Sequence, residues 1–275
     1  MRCACAVHCL PNPDPIGPDA HGIDSSDKNR DPWAKIQGIE MTQKIVLLPG
    51  MMCDHRLYAG LIERFSDRYD IQCLDLVGQR SVPDMAQSVL DRVQGRFHLV
   101  GLSMGGIVAL PVALQAPDRV ASLVLLDTNA RADRAEVAPL RDAQIETVKH
   151  GGLADVLSQQ MIPNYFHDRP AHADQESICL TMGLDLGAKV FENQSLALMH
   201  RGAVTDRLGD IRCPTLIAMG AHDKLCSLHD HQTMAQGITG SQFHIIPNCG
   251  HIPTMETPEA VNQLAETFYA QQDGT

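Results

Sequence analysis

Ser103 stands in Gly101-Leu102-Ser103-Met104-Gly105, directly after the apolar run Phe97-His98-Leu99-Val100 and directly before Gly106-Ile107-Val108-Ala109-Leu110. A serine at a strand-to-helix turn takes up a strained backbone that points Oγ outward, and flanking glycines let neighbouring elements approach without Cβ clashes. A tight turn whose serine only caps a helix would show the same five residues, so the weight falls on partners. A serine hydroxyl needs a base to become a nucleophile, and the base needs a group that fixes its tautomer. His251 supplies an imidazole from the loop Pro247-Asn248-Cys249-Gly250-His251-Ile252-Pro253, which follows the short apolar stretch Phe243-His244-Ile245-Ile246. Asp223 supplies a carboxylate just after Thr215-Leu216-Ile217-Ala218-Met219, and Asp127, closing Leu123-Val124-Leu125-Leu126, competes for that role. Asp223 is the expected acid, since an aspartate at the turn of Asp127 more often serves as a structural hydrogen-bonding residue. The run Ile45-Val46-Leu47-Leu48-Pro49-Gly50-Met51-Met52 ends in a Pro-Gly turn. The backbone N–H groups of Met51 and Met104 are the expected donors to an oxyanion, worth roughly 10²–10³ in rate per donor.

Such residues need a scaffold that brings distant loops together. Strand patterns fall at 44–48, 71–75, 97–101, 122–126, 215–219 and 242–246, with helical spacing between them at Tyr58, Leu61, Ile62, Phe65 and at Ala86, Val89, Leu90, Val93. Strands alternating with helices predict an α/β fold with a parallel sheet. Thr257-Pro258 opens a last helix through Val261, Leu264, Ala265 and Phe268. Pro111 falls inside the helix after Ser103, where the lost N–H and crowding of the Ile107 carbonyl predict a kink costing about 3 kcal/mol.

Taken in order, these motifs resemble those of the α/β-hydrolase-fold serine hydrolases of the small esterase and enol-lactonase type, over about Met41 to the C-terminus. Leu48-Pro49-Gly50-Met51 stands where that family has His-Gly-x. Asp75-Leu76-Val77-Gly78-Gln79-Arg80-Ser81 resembles its Asp-x-x-Gly-x-Gly-x-Ser loop with a glycine missing, and Arg119 to Asp127 resembles its sixth strand. Ser227 departs from the pattern, in which a proline commonly follows the acid, and Pro111 departs from it in the elbow helix. The resemblance implies the chain order Ser103, Asp223, His251 for the triad. No strand pair is evident before residue 44, so the family's sheet should be trimmed to about six strands.

Between Asp127 and Cys213 the strand rhythm stops and helical signals take over in roughly four segments, including Pro139 to His150 and Ala188 to His200. The expected organisation is an α/β core of 41–128 and 207–275 with a helical cap, 129–206, inserted after the sixth family strand and roofing the pocket. Met52, Met161, Tyr165, Phe166, Met182, Phe191 and Met199 are candidate substrate-lining residues, of which only one or two cap positions should face substrate. The cap histidines His150, His167, His172 and His200 read as surface residues. An apolar, methionine-rich pocket points to a small or medium ester, thioester or lactone without a cofactor. Carbon–carbon bond hydrolysis, cofactor-free perhydrolysis, acyl transfer and a non-turnover ligand receptor stay open on the same scaffold.

The formal charge of −11 argues against nucleic acid or an anionic membrane surface as partner, leaving a small molecule. Nine scattered cysteines form no disulfide framework and suit the reducing cytoplasm. Cys3, Cys5, His8 and Cys9 lack a second ligand pair at zinc spacing, and His229-Asp230-His231 reads as two histidines on an exposed helix start, so no metal site is expected. The first forty residues, with Pro11, Pro13, Pro15 and Pro18 among polar residues, read as a disordered leader without a signal or anchor, and Met41 as a natural start.

Overall fold

In a computed structural model the described residues are 43–273, and the expected leader with its cysteines lies outside them. Six strands form one all-parallel sheet: β1 (Lys44–Leu48), β2 (Asp70–Cys73), β3 (Phe97–Leu102), β4 (Val120–Leu126), β5 (Thr215–Gly220) and β6 (Gln242–Ile246), in the order β2-β1-β3-β4-β5-β6. The central strands read as continuous apolar runs because helices cover both faces. Alternate side chains then divide between two cores. Val46, Leu48, Leu99, Leu123 and Ile217 pack with α2 (Val82–Arg92), α3 (Met104–Gln115) and α7 (Leu228–Gly237). Ile45, Leu47, Val100, Val124 and Leu216 pack with α1 (Ala59–Phe65) and α9 (Pro258–Asp273).

Helix ends follow local chemistry. Ser81 caps α2 by accepting the Asp84 N–H, and Ser227 forms a reciprocal capping box with Asp230 at α7, which explains a serine at that departure from the family pattern. The last helix opens at Pro258 as expected, preceded by the short α8 (Pro253–Glu256). Helix α3 continues through Pro111 as one helix to Gln115.

No strand occurs between β4 and β5. That stretch holds α4 (Ala138–Lys149), α5 (Leu153–Asp155), a π-helical segment at Val156–Met161, 3-10 turns and α6 (Ala173–Met199). Gly187 breaks α6 with φ 82° and ψ 173°, a conformation open to glycine, so its second half starts at Ala188. One expectation needs correcting. His231 is not exposed but fully buried on the inner side of α7, where Nδ1 meets the Ser227 carbonyl at 2.9 Å and Nε2 accepts the Thr128 N–H at 3.2 Å.

Among the described residues, no helix is long and apolar enough to cross a membrane.

Candidate active site

The strand order reverses direction between β1 and β3, and in open α/β sheets ligands bind outside the carboxyl ends of strands at such a switch point. Register puts Leu48 beside Gly101 and Leu102 beside Leu126, so the loops after β1, β3 and β4 leave the sheet together. A cavity of about 360 Å³ opens there, lined among others by Gly50, Met51, Ser103, Met104 and His251.

Ser103 has φ 53° and ψ −114°, outside the allowed regions for most side chains, and is held by its N–H to the Leu126 carbonyl at 2.9 Å and by the Thr128 hydroxyl donating to its own carbonyl at 2.7 Å. A Cβ on Gly105 would collide with the Leu48 carbonyl and one on Gly101 with the Gly105 backbone, so the two outer glycines of the motif are required by close approach. His251 Nε2 lies 2.9 Å from Ser103 Oγ, and His251 Nδ1 lies 2.9 Å from Asp223 Oδ1. Asp223 Oδ1 also accepts the Leu225 N–H at 2.8 Å and the Cys226 N–H at 3.2 Å. Burial disfavours charge on Asp223, yet the His251 charge and hydrogen bond and these two N–H groups outweigh it and hold its carboxyl below the usual range.

Asp127 sits behind Asp223 rather than against the imidazole. Its Oδ1 accepts the Gly220 N–H at 2.8 Å, while burial, followed by the Asp223 charge, pushes its carboxyl well up. Asp127 Oδ2 and Asp223 Oδ2 are both buried without another partner, and a proton kept on Asp127 and donated to Asp223 satisfies both.

Met104 is the first residue of α3, so its N–H has no acceptor within its own helix. Met51 borders the same cavity. The turn that carries it is fixed from afar: Met52, at φ 57°, donates its N–H to Gln194 Oε1 at 2.8 Å, and Gln194 Nε2 donates to the Leu76 carbonyl at 2.9 Å. The His251 loop is fixed likewise. The buried Glu256 accepts the His167 N–H at 2.7 Å and also the Gly250 N–H, and the Tyr165 carbonyl accepts the His251 N–H at 2.7 Å. Sequence spacing carried no signal for Gln194 or for the Glu256–His167 contact, because those partners lie far away in the chain.

Of the candidate lining residues, Met161 and Tyr165 border the cavity. Met52, Phe166, Met182, Phe191 and Met199 are not among its lining residues. Met52, Phe166, Met182 and Phe191 are buried in the core below, and Met199 packs against it. Met182 Sδ takes the Asp54 N–H at 3.4 Å, which shows what that side chain does instead. His150, His167 and His200 are exposed, and His172 is half-buried beside Glu256, at 3.7 Å. Asp223, Cys226 and His251 place ligand-type atoms within 4.8 Å of one another, but both imidazole nitrogens are engaged and burial pushes the Cys226 thiol up, away from the thiolate a metal needs.

The parallel sheet, the strained turn after β3 and the helical insertion after β4 define an α/β hydrolase. The alpha/beta hydrolase family model matches residues 45–264, and the chain belongs to that family. Pimeloyl-[acyl-carrier protein] methyl ester esterase of Nitrosomonas europaea is 26% identical over 231 residues, covering 78% of this chain and 91% of that protein. 3-Oxoadipate enol-lactonase 1 of Acinetobacter baylyi is 25% identical over 252 residues, covering 85% and 91%. A thermophilic esterase from Thermogutta terrifontis superposes with a TM-score of 0.76 at 28% identity, covering 84% of this chain and 90% of that one.

Proposed function

We propose that the protein cleaves a small or medium carboxylic ester, thioester or lactone through an acyl-enzyme. The observation that carries this reading is the pair of 2.9 Å hydrogen bonds linking Ser103 Oγ, His251 and Asp223. In this mechanism His251 Nε2 takes the Ser103 proton as Oγ attacks the carbonyl carbon, and Asp223 holds the imidazole and stabilises the imidazolium. The N–H groups of Met51 and Met104 receive the charge that develops on the carbonyl oxygen. His251 then protonates the leaving alkoxide or thiolate and activates a water that releases the acid.

The described residues 43–128 and 207–273 form the core in this reading, and 129–206 the cap. The cap supplies Met161, Tyr165 and Leu198 to the cavity wall, so it shapes the acyl or alcohol site while the core does the chemistry. Described cysteines Cys53, Cys73, Cys179, Cys213, Cys226 and Cys249 are all free thiols, which supports work in the reducing cytoplasm. Names borne by the relatives, an ester esterase and an enol-lactonase, support ester-bond chemistry.

The test is labelling with a fluorophosphonate followed by peptide mapping, together with turnover of p-nitrophenyl esters of graded chain length. Modification of Ser103 with multiple turnovers is expected. Labelling elsewhere, or a single slow event without turnover, would remove the reading in favour of another nucleophile or a ligand receptor.

A further inference from the structure

The cavity wall reverses the charge balance of the chain. The sequence holds 22 basic against 33 acidic residues, yet the wall carries Arg131, Arg134, Arg141, Arg201 and Lys224 against the single carboxylate Asp133. Asp133 is shared, with Oδ2 at 2.7 Å from Arg141 Nε and Oδ1 at 3.1 Å from Arg201 Nη1. Arg131 has its own partner, Asp230, at 2.9 Å. Arg134 and Lys224 have no side-chain hydrogen bond or ion pair among the described residues.

Arg141 is the informative member. Its side chain is only 16% exposed, so its unused N–H groups are not freely hydrated. Beyond Asp133 at Nε, its Nη1 meets the Met51 thioether at 4.0 Å, a weak acceptor, and Nη2 has no hydrogen-bond partner among the described residues. A guanidinium that spends one edge on Asp133 and presents the other to a cavity is a fork with a place for a carboxylate. Met51 also carries one of the expected oxyanion N–H groups, so the free fork lies on the wall that receives the reacting carbonyl. The buried Arg201 adds to the field: burial, and then Arg141 and Arg131, lower its proton affinity in spite of Asp133. An anion in the cavity would relieve that repulsion.

We propose that the substrate is an ester or lactone that also carries a carboxylate, bound by Arg141, with Arg134 and Lys224 drawing it in at the mouth. This deepens the serine-hydrolase reading and rests on it. The apolar wall of Ile107, Val137, Leu140, Met161 and Leu198 then takes the carbon chain between the carboxylate and the scissile bond. An anionic substrate also makes sense of cations kept under-neutralised in a chain that is otherwise acidic, because they steer it against the net field.

The experiment compares kcat/KM for methyl hemi-esters of short dicarboxylic acids with methyl esters of monocarboxylic acids of equal length. The wild type should prefer the hemi-ester by about tenfold or more, as expected for a charge-assisted hydrogen bond in a recess. Arg141→Gln should cut kcat/KM for the hemi-ester about 10–100-fold further than for the neutral ester. Arg134→Ser combined with Lys224→Ser, both at exposed positions, should lower the preference and flatten its salt dependence without unfolding the chain. Glutarate should compete with ester turnover at least about tenfold better than pentane-1,5-diol, a readout that needs no variant. Equal use of both ester classes, equal losses in Arg141→Gln, or equal inhibition by glutarate and the diol would each overturn the proposal. If Ser103 is labelled by fluorophosphonate while the hemi-ester preference is absent, only this inference fails; if Ser103 is not labelled, the hydrolase reading falls and takes the inference with it.

Discussion

At the scale of single residues, the two buried aspartates show how one proton divides two roles. In the proposed mechanism Asp223 uses its charge to hold His251, while burial and that charge push Asp127 behind it towards the neutral acid. Asn at position 127 can still accept the Gly220 N–H and donate to Asp223 Oδ2, so Asp127→Asn should keep turnover within a few-fold. Asp223→Asn should lower kcat by about 10⁴, and Ser103→Ala or His251→Ala by about 10⁶. Normal turnover in Asp223→Asn with loss in Asp127→Asn would exchange the two assignments. The same pair sets a pH dependence of stability. Asp127 has a raised carboxyl in the fold, so above about pH 4, the ordinary aspartate value, the folded chain holds a proton that the unfolded chain releases, and stability falls as pH rises. Asp223, lowered in the fold, acts in the opposite sense: its contribution is present above the ordinary value and is lost as pH falls towards its folded value. Thermal unfolding of Asp127→Asn against wild type should therefore show an advantage for the variant that grows from about pH 4 upward. An advantage that is constant with pH would mean that Asp127 is ionised in the fold.

At the scale of elements, each residue of the proposed triad sits in a loop after a strand, and the loops of Met51 and His251 are pinned by side chains from elsewhere. Gln194 spans from α6 to both the Met52 N–H and the Leu76 carbonyl. Gln194→Ala would leave a buried donor and a buried acceptor unpaired, at about 1–3 kcal/mol each, and would free the turn that aims the Met51 N–H. The expected result is a lower melting temperature together with a kcat loss of up to about 10², the scale of one oxyanion donor, while Gln194→Glu, which keeps the acceptor, loses less of kcat. If melting temperature falls and kcat does not, the clamp supports only the fold. Strand ends and the positions of the proposed triad were legible in the sequence because each is a local pattern: an apolar run, a turn residue, then the polar group, as in Leu102-Ser103 or Gly250-His251. The second half of α6 was legible as a helical segment starting at Ala188, just after the break at Gly187. The roles of Gln194, of Glu256 towards His167, of His231 towards Thr128 and of the crowded arginines were not, since each depends on a partner distant in the chain. Which one or two of the cap candidates border the cavity was not legible, because helical spacing marks which residues are buried, but not whether they face a cavity or a neighbouring helix.

At the scale of the whole molecule, the insertion between β4 and β5 contributes Met161, Tyr165 and Leu198 to the lining of the cavity that Ser103 and His251 border, so in the proposed function altering the insertion should change which substrate fits before it changes whether the serine reacts. Met161 lines the cavity and Phe166, a few residues on, does not. Phe166 is fully buried, stacked on His172 with ring centroids 5.5 Å apart. The two positions therefore separate lining from packing. Met161→Ala should shift the preferred acyl length, with preference ratios moving by roughly 10–200-fold, as one to a few methylenes in an apolar pocket are worth about 1–3 kcal/mol. Phe166→Ala should cost about 3–5 kcal/mol of stability through the cavity it leaves, with the order of substrate preference kept. Both should retain fluorophosphonate labelling of Ser103 below their melting temperatures, because neither hydrogen-bonds to Ser103 or Asp223. The decisive measurement is kcat/KM across a series of straight-chain acyl esters at one temperature where both variants are folded. A Phe166→Ala profile that changes shape, or a Met161→Ala profile scaled down evenly across all lengths, would place specificity in the core loop around Met51 instead of in the insertion.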